Sequence, residues 1–243
     1  MDVSPYIDNA NCDLWNAFSS RFNISVEYGI EKYCECHLEQ NNFTIYVPWN
    51  DKPSPDSLTH ELLHLYLPSK NIRIGDDMES MFRNQYPHCL IFDKELYDHI
   101  SNCLEHVKML PVFLKMGYSC ESFLYDYHDC KFTYSEVVYI KFFYKSGIFK
   151  VRVNTKSVRY YIAKFFAAKA DVNPKNNYIK QLQRLQKIDS VLYSILDTFW
   201  DDWMKYDIES PRDILEDDYH QLISNLNEGI IKWGENKKFN YCW

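Results

Sequence analysis

The chain has 243 residues, 46% of them hydrophobic, 25% charged and 17% aromatic, with a formal net charge of −7. That apolar content excludes a disordered chain, and 6 Gly and 9 Pro exclude a collagen-like or low-complexity one. No run approaches the ~18 consecutive apolar residues of a membrane-spanning helix. The length suits one large domain or two small ones. The opening Met1–Asp8 has neither a basic leader nor an apolar run, and the eight cysteines form no C-x-x-C pair, so reduced thiols and a cytoplasmic chain are expected.

In chain order, Leu14, Trp15 and Phe18, with Phe22 just beyond, recur at helical spacing and predict a short helix over 12–21. Residues 24–28 alternate as a half-buried strand does. The runs 32–38 and 43–48 flank the polar turn Glu39-Gln40-Asn41-Asn42, which predicts a hairpin. Cys34-Glu35-Cys36-His37 places two thiols on one strand face. With no second Cys/His pair at a usual spacing, it reads as the two faces of a strand rather than a metal site. Pro53 and Pro55 end the strand pattern, and Asp56 is the expected N-cap of a helix from Ser57 to Leu67 that Pro68 stops.

A second helix is predicted near 93–110, with Leu96, Ile100, Cys103, Val107 and Leu110 on one stripe. Residues 134–153 fit strand or helix equally, and Gly147 could end either. One long helix is expected over 176–205, and another starts at the cap Ser210-Pro211 and carries Leu215, Tyr219, Leu222, Leu226, Ile230 and Trp233. With no repeat and no linker, residues 1–243 are expected to form a single compact body. Its 1–130 part is α/β and its 131–243 part mainly helical, an α+β class.

Charge follows the same division. Residues 131–170 hold nine Lys/Arg against one acid, Glu136, a net of +8; residues 171–243 carry −4, which leaves −11 for the first 130. The basic stretch also contains eleven Tyr and Phe side chains. Cations for phosphates and rings for bases would suit nucleic acid, and a membrane surface is a further possibility. The acidic whole chain and the paired spacing of the aromatics favour packing against the flanking acidic segments or attraction of an acidic substrate, so nucleic acid is not the expected partner.

One segment carries chemistry. His60-Glu61-Leu62-Leu63-His64 is an H-E-x-x-H sequence. On a helix, residues i and i+4 lie one above the other, so two neutral imidazoles can bind one Zn²⁺. Glu61 lies on the neighbouring part of that face, where a carboxylate can take a proton from a metal-activated water. The bland alternative, two stacked core histidines, leaves several buried polar groups to be compensated.

Thr59-His60-Glu61-Leu62-Leu63-His64-Leu65 resembles the active-site helix of the zincin metallopeptidases. The resemblance covers about the first half of the chain. It implies a zincin-like N-terminal part, a small sheet plus this helix, with one zinc ion and a peptide or protein substrate. It also implies that the 43–48 strand is the edge along which substrate pairs by strand addition. His60 and His64 would be ligands and Glu61 the general base.

The metzincin extension is absent, because Leu67 and Lys70 occupy its Gly and His positions. The gluzincin pattern then makes Glu105, in Asn102-Cys103-Leu104-Glu105-His106, the expected third ligand. His106 is its rival, followed by Asp77, Glu79, His99 and His128. The Asp that many gluzincins place four residues after the ligand Glu is Met109 here, so Asn102 or Asp98 is left to orient a ligand His. Tyr118, Tyr125, Tyr127 and His128 are candidates for stabilising an oxyanion, by chain position alone. The expected activity is zinc-dependent peptide hydrolysis. The alternatives are a non-catalytic zincin-like interaction module and a nucleic-acid-binding regulator using 131–170.

Overall fold

The alternation read at 24–28 and 43–48 folds as two strands of one sheet. A computed structural model describes residues 1–49, 54–146, 152–210, 212–235 and 237–240. It begins with helix α1 (Cys12–Ser19) and strands β1 (Asn23–Gly29), β2 (Glu35–Glu39) and β3 (Asn42–Pro48). β2 and β3 form the expected antiparallel hairpin, and β1 pairs with β3 in parallel, giving the order β1-β3-β2. Gln40, at φ 55°, makes the left-handed turn between the hairpin strands. β3 is therefore the central strand. Its backbone is hydrogen-bonded on both sides, so it cannot be the edge expected to receive a substrate; β2 and β1 are the edges.

Helix α2 (Pro55–Leu63) follows. Its N-cap is Ser54, not Asp56: the Ser54 side chain accepts from Ser57 N, and Pro55 takes the first helical position, where no donor is needed. Asp56 sits in the first turn, where its carboxylate also accepts from Ser57 N. The helix stops at Leu63, short of the expected Leu67, and His64 is its C-cap. Leu58, Leu62 and Leu65 pack with Phe43, Ile45, Val47, Val26 and Phe22 into one buried cluster. The fully buried Asn11 amide donates to Tyr6 O, Pro55 O and Thr59 Oγ1, tying the start of α2 to the N-terminal segment.

Next come α3 (Ile74–Phe82), α4 (His88–Ile91), α5 (Lys94–Lys115), α6 (Tyr134–Phe143), β4 (Lys145–Ser146), β5 (Arg152–Asn154), α7 (Thr155–Ala170), α8 (Ile179–Ile188), α9 (Ser190–Lys205), α10 (Arg212–Gly234) and β6 (Lys238–Asn240). The fold is α+β with a mainly helical C-terminal half. Residues 134–153 resolve into α6, β4 and the start of β5; Gly147 lies outside the described residues, as do Pro211 and the Leu215 side chain. The helix expected over 176–205 is two. Asp189 adopts extended backbone between α8 and α9 and caps α9 by accepting from Leu192 N. Its other carboxylate oxygen takes hydrogen bonds from Tyr144, Trp233 and Lys237. β6 pairs in parallel with β5, matching Phe239 to Val153.

The chain divides into two compact units: residues 1–73 with 105–129, and residues 74–104 with 130–243. Residues 74–104, which the sequence reading places with the α/β part, group with the helical part. α5 is shared between the two groups, changing membership after Leu104. The cysteines of the described residues carry free thiols, and no helix among those residues is long and apolar enough to cross a membrane.

Within the second unit, several cations of the basic stretch are ion-paired: Lys164 with Glu136, Lys169 with Asp197 and Arg159 with Asp93. His88 is fully buried between Phe82 and Phe92, its ring centroid 4.5 Å from that of Phe82, and neither of its nitrogens has a hydrogen bond. Burial lowers its pKa to about 4. The folded state therefore holds His88 neutral, whereas the unfolded chain protonates it near 6.5. Its stabilising effect is complete above pH ~6.5 and is lost as pH falls toward 4, up to about 3 kcal/mol. His88→Phe removes two unpaired polar atoms. It is expected to raise the urea midpoint at pH 5 more than at pH 7.5, and an equal change at both pH values would contradict this.

Candidate metal centre

The capped, apolar-backed helix α2 presents His60, Glu61 and His64 away from Leu58 and Leu62, and the chain brings two further groups to them. His106, on α5, has its ring centroid 4.9 Å from that of His60 and 5.4 Å from that of His64. The His60 and His64 rings are 5.2 Å apart. One ligand atom from each of His60, His64 and His106 lies within 4.8 Å of the others, close enough to hold a metal ion. Phe123 closes one side, with its ring 4.7 Å from His60 and 5.4 Å from His106. Cys36 supplies the second group: its sulfur, a Glu61 carboxylate oxygen and a His64 nitrogen also lie within 4.8 Å of one another.

Glu105, the expected third ligand, is in neither set. Its Oε2 is 2.7 Å from His64 Nδ1, which fixes that nitrogen as the hydrogen-bonded one and leaves Nε2 for an ion. Glu105 thus makes a contact of the kind the sequence reading left to Asn102 or Asp98, and His106, not Glu105, is in the set that could hold a metal. Of the other rivals, Asp77 accepts from the Tyr219 hydroxyl, Glu79 pairs with Arg83, and His99 bonds to Ala163 O. His128 is exposed beside the Tyr127 ring.

The oxyanion candidates gain no support from geometry. The Tyr118 hydroxyl donates to Asp8 Oδ1 at 2.9 Å and accepts from Thr59 Oγ1 at 3.3 Å. Tyr125 is 74% exposed, and Tyr127 is buried.

The electrostatics follow from burial and from these neighbours. His60, 9% exposed, has its pKa pushed well below the ordinary imidazole range by burial and by the adjacent His64. A hydrogen bond at the Phe123 backbone opposes this only in part. Burial alone would lower His64 as well, but the Glu105 hydrogen bond and charge, with Glu61, outweigh it and raise the pKa. The Glu61 carboxyl is raised by burial, against the opposing influence of His64 and of the neighbouring Cys36 thiol. Burial and the Glu61 charge push the Cys36 thiol well up.

These residues fit a zinc ion. His60 is held in the neutral form that binds metal, and its buried Nδ1 has no hydrogen bond. Three imidazoles with a carboxylate behind one of them form a normal nitrogen donor set for zinc, with carboxylate orientation of a ligand His.

Sequence spacing did not reveal Cys36 or Phe123 as neighbours of the site. For Cys36 a signal existed: it stands opposite the fully buried Ile45 in the β2–β3 register, and so on the face that α2 covers. Compared with known proteins, the chain matches no family model, no curated protein and no solved structure.

Proposed function

We propose that the chain is a cytoplasmic zinc-dependent peptidase of zincin type, with His60, His64 and His106 as ligands and Glu61 as general base. The observation that carries this reading is the convergence of three imidazole ligand atoms within 4.8 Å beside the Glu61 of an H-E-x-x-H helix. Bound zinc would lower the pKa of water toward neutrality and polarise a scissile carbonyl. Glu61 would take the proton from the attacking water and hand it to the leaving amine. A carboxyl raised by burial is better matched to that two-way transfer near neutral pH than an exposed one. Glu105 holds the His64 ring in position. A substrate backbone would pair along the free edge of β2 rather than along β3.

Two other readings differ in support. A non-catalytic interaction module draws on the burial of Glu61, 6% exposed, with the Cys36 sulfur within 4.8 Å of its carboxylate. A nucleic-acid regulator has less behind it, because several cations of 131–170 are already ion-paired. The test is hydrolysis of a broad peptide library by the zinc-loaded chain, run beside Glu61→Gln. Activity in the first and its loss in the second support the peptidase. No hydrolysis at full zinc occupancy supports the module.

A further inference from the structure

The basic aromatic stretch divides in two. Lys164, Lys169 and Arg159 are ion-paired within the second unit, whereas Lys141 and Lys145 are exposed and have no acidic partner among the described residues. Around α6, Val137, Ile140 and the C-cap Tyr144 are buried. On the opposite side Tyr134, Val138 and Phe142 follow at four-residue spacing, with Tyr139 and Phe143 beside them. All five are exposed, Phe142 by 72%. The Tyr139 and Phe143 rings are 4.7 Å apart and the Phe142 and Phe143 rings 4.9 Å, so the apolar surface is continuous. Contiguous exposed apolar surface of this kind marks a contact site.

Helix α8 extends this face. Its Gln181 side chain donates to Phe132 O, and its Arg184 guanidinium lies 4.1 Å from the centroid of the Tyr134 ring. Lys180, Gln183, Arg184 and Lys187 fall on one helical stripe, which Arg184 joins to α6, and Ile179 at its start is 59% exposed. Among the described residues none of these three cations has an acidic partner. The one acid on either helix is Glu136, and its carboxylate is taken by Lys164, Tyr160 and Thr133. The charge therefore calls for an anionic partner, and the side chains select which. Phe142, Val138 and Ile179 have no polar tip, and aliphatic groups offer a nucleic-acid base nothing to stack on. Around α6, Phe142 stands between Val138 and Tyr139, with Tyr134 and Phe143 farther out and Lys141 beyond Tyr134. An apolar crest flanked by tyrosine and lysine follows the change from acyl chains to headgroups across a bilayer surface.

We propose that the exposed face of α6, with the cations of α8 beside it, docks on the surface of a membrane containing anionic phospholipids. Phe142 enters the acyl boundary, and Lys141, Lys145 and the α8 cations meet the headgroup phosphates. The contact is peripheral, since no helix among the described residues is long and apolar enough to cross a membrane. The chain as a whole, at −7, is repelled by an anionic surface, so attraction to one has to come from a local face such as this. The inference does not depend on the metal-centre reading.

Co-sedimentation of the full chain with vesicles tests it. The chain should bind vesicles of phosphatidylcholine mixed with phosphatidylserine, more weakly as salt is raised, and should bind phosphatidylcholine alone far less. Phe142→Ser should weaken binding about tenfold or more, and Lys141→Gln and Lys145→Gln about fivefold each. These side chains are exposed, so circular dichroism should show the fold intact. Ile30→Ser removes a 93% exposed apolar side chain elsewhere and should change nothing. No binding to the mixed vesicles, or equal binding to phosphatidylcholine alone, would overturn the proposal. A loss in Ile30→Ser as large as that in Phe142→Ser would do the same. A labelled single-stranded RNA titrated alongside supplies the other arm: RNA binding that Phe142→Ser abolishes, without vesicle binding, would give the face to nucleic acid instead.

Discussion

Truncating His106 to alanine is expected to lower zinc affinity well beyond 100-fold, whereas Glu105→Ala should lower it by about 10–100-fold. The two residues are adjacent in sequence and act on different atoms. His106 offers a ring nitrogen to the space between His60 and His64, and its loss leaves two imidazoles where zinc needs at least three protein donors. Glu105 sits behind His64, and its loss frees the ring to rotate and removes the partner that strengthens it as a donor. Glu105→Gln keeps an acceptor for Nδ1–H without the charge and should fall between wild type and Glu105→Ala. Competition against a chromophoric chelator measures all four proteins. The opposite ranking would return the ligand role to Glu105, as the gluzincin spacing implies.

Glu61→Gln is the second large effect. The substitution keeps the side chain's shape but cannot carry a proton. Zinc should bind undiminished, because Glu61 is outside the three-imidazole set. The rate of hydrolysis should fall by about 10²–10⁴, the usual share of a general base, with most of the loss in kcat. Retention of activity within about tenfold would exclude Glu61 as base. Loss of zinc along with activity would instead make Glu61 a ligand.

How far the site could be read from the sequence depends on the range of each interaction. α2 was legible because its signals are local: a Pro-containing start, leucines at helical spacing and histidines four apart. Its cap was misplaced by two residues because Ser54 and Asp56 are both good caps, and the choice between them rests on backbone geometry: Ser54 is extended and Pro55 begins the helix. The single helix read over 176–205 hid a break, because the apolar stripe continues across Asp189. That residue's tertiary partners, Tyr144, Trp233 and Lys237, lie 44–48 positions away along the chain.

The third imidazole of the cluster was harder for the same reason. In α5, His106 falls three residues after the buried Cys103 and three before the buried Met109, on a stripe that continues to Phe113. A histidine on an apolar stripe looks like core filler until the helix is seen to bring it against α2. β3 was recognised as a strand, but its place in the sheet depends on the parallel partner β1, 19 residues earlier. Periodicity identifies a strand without identifying its neighbours.

Metal stoichiometry tests the central claim most directly. The full chain, freed of metal and dialysed against zinc at neutral pH, should take up one zinc per chain by elemental analysis. Replacing His60 and His64 together by alanine should abolish the uptake while leaving the circular dichroism of the fold in place. A wild-type chain that takes up no zinc, or a double variant that binds it as well as wild type, would contradict the account.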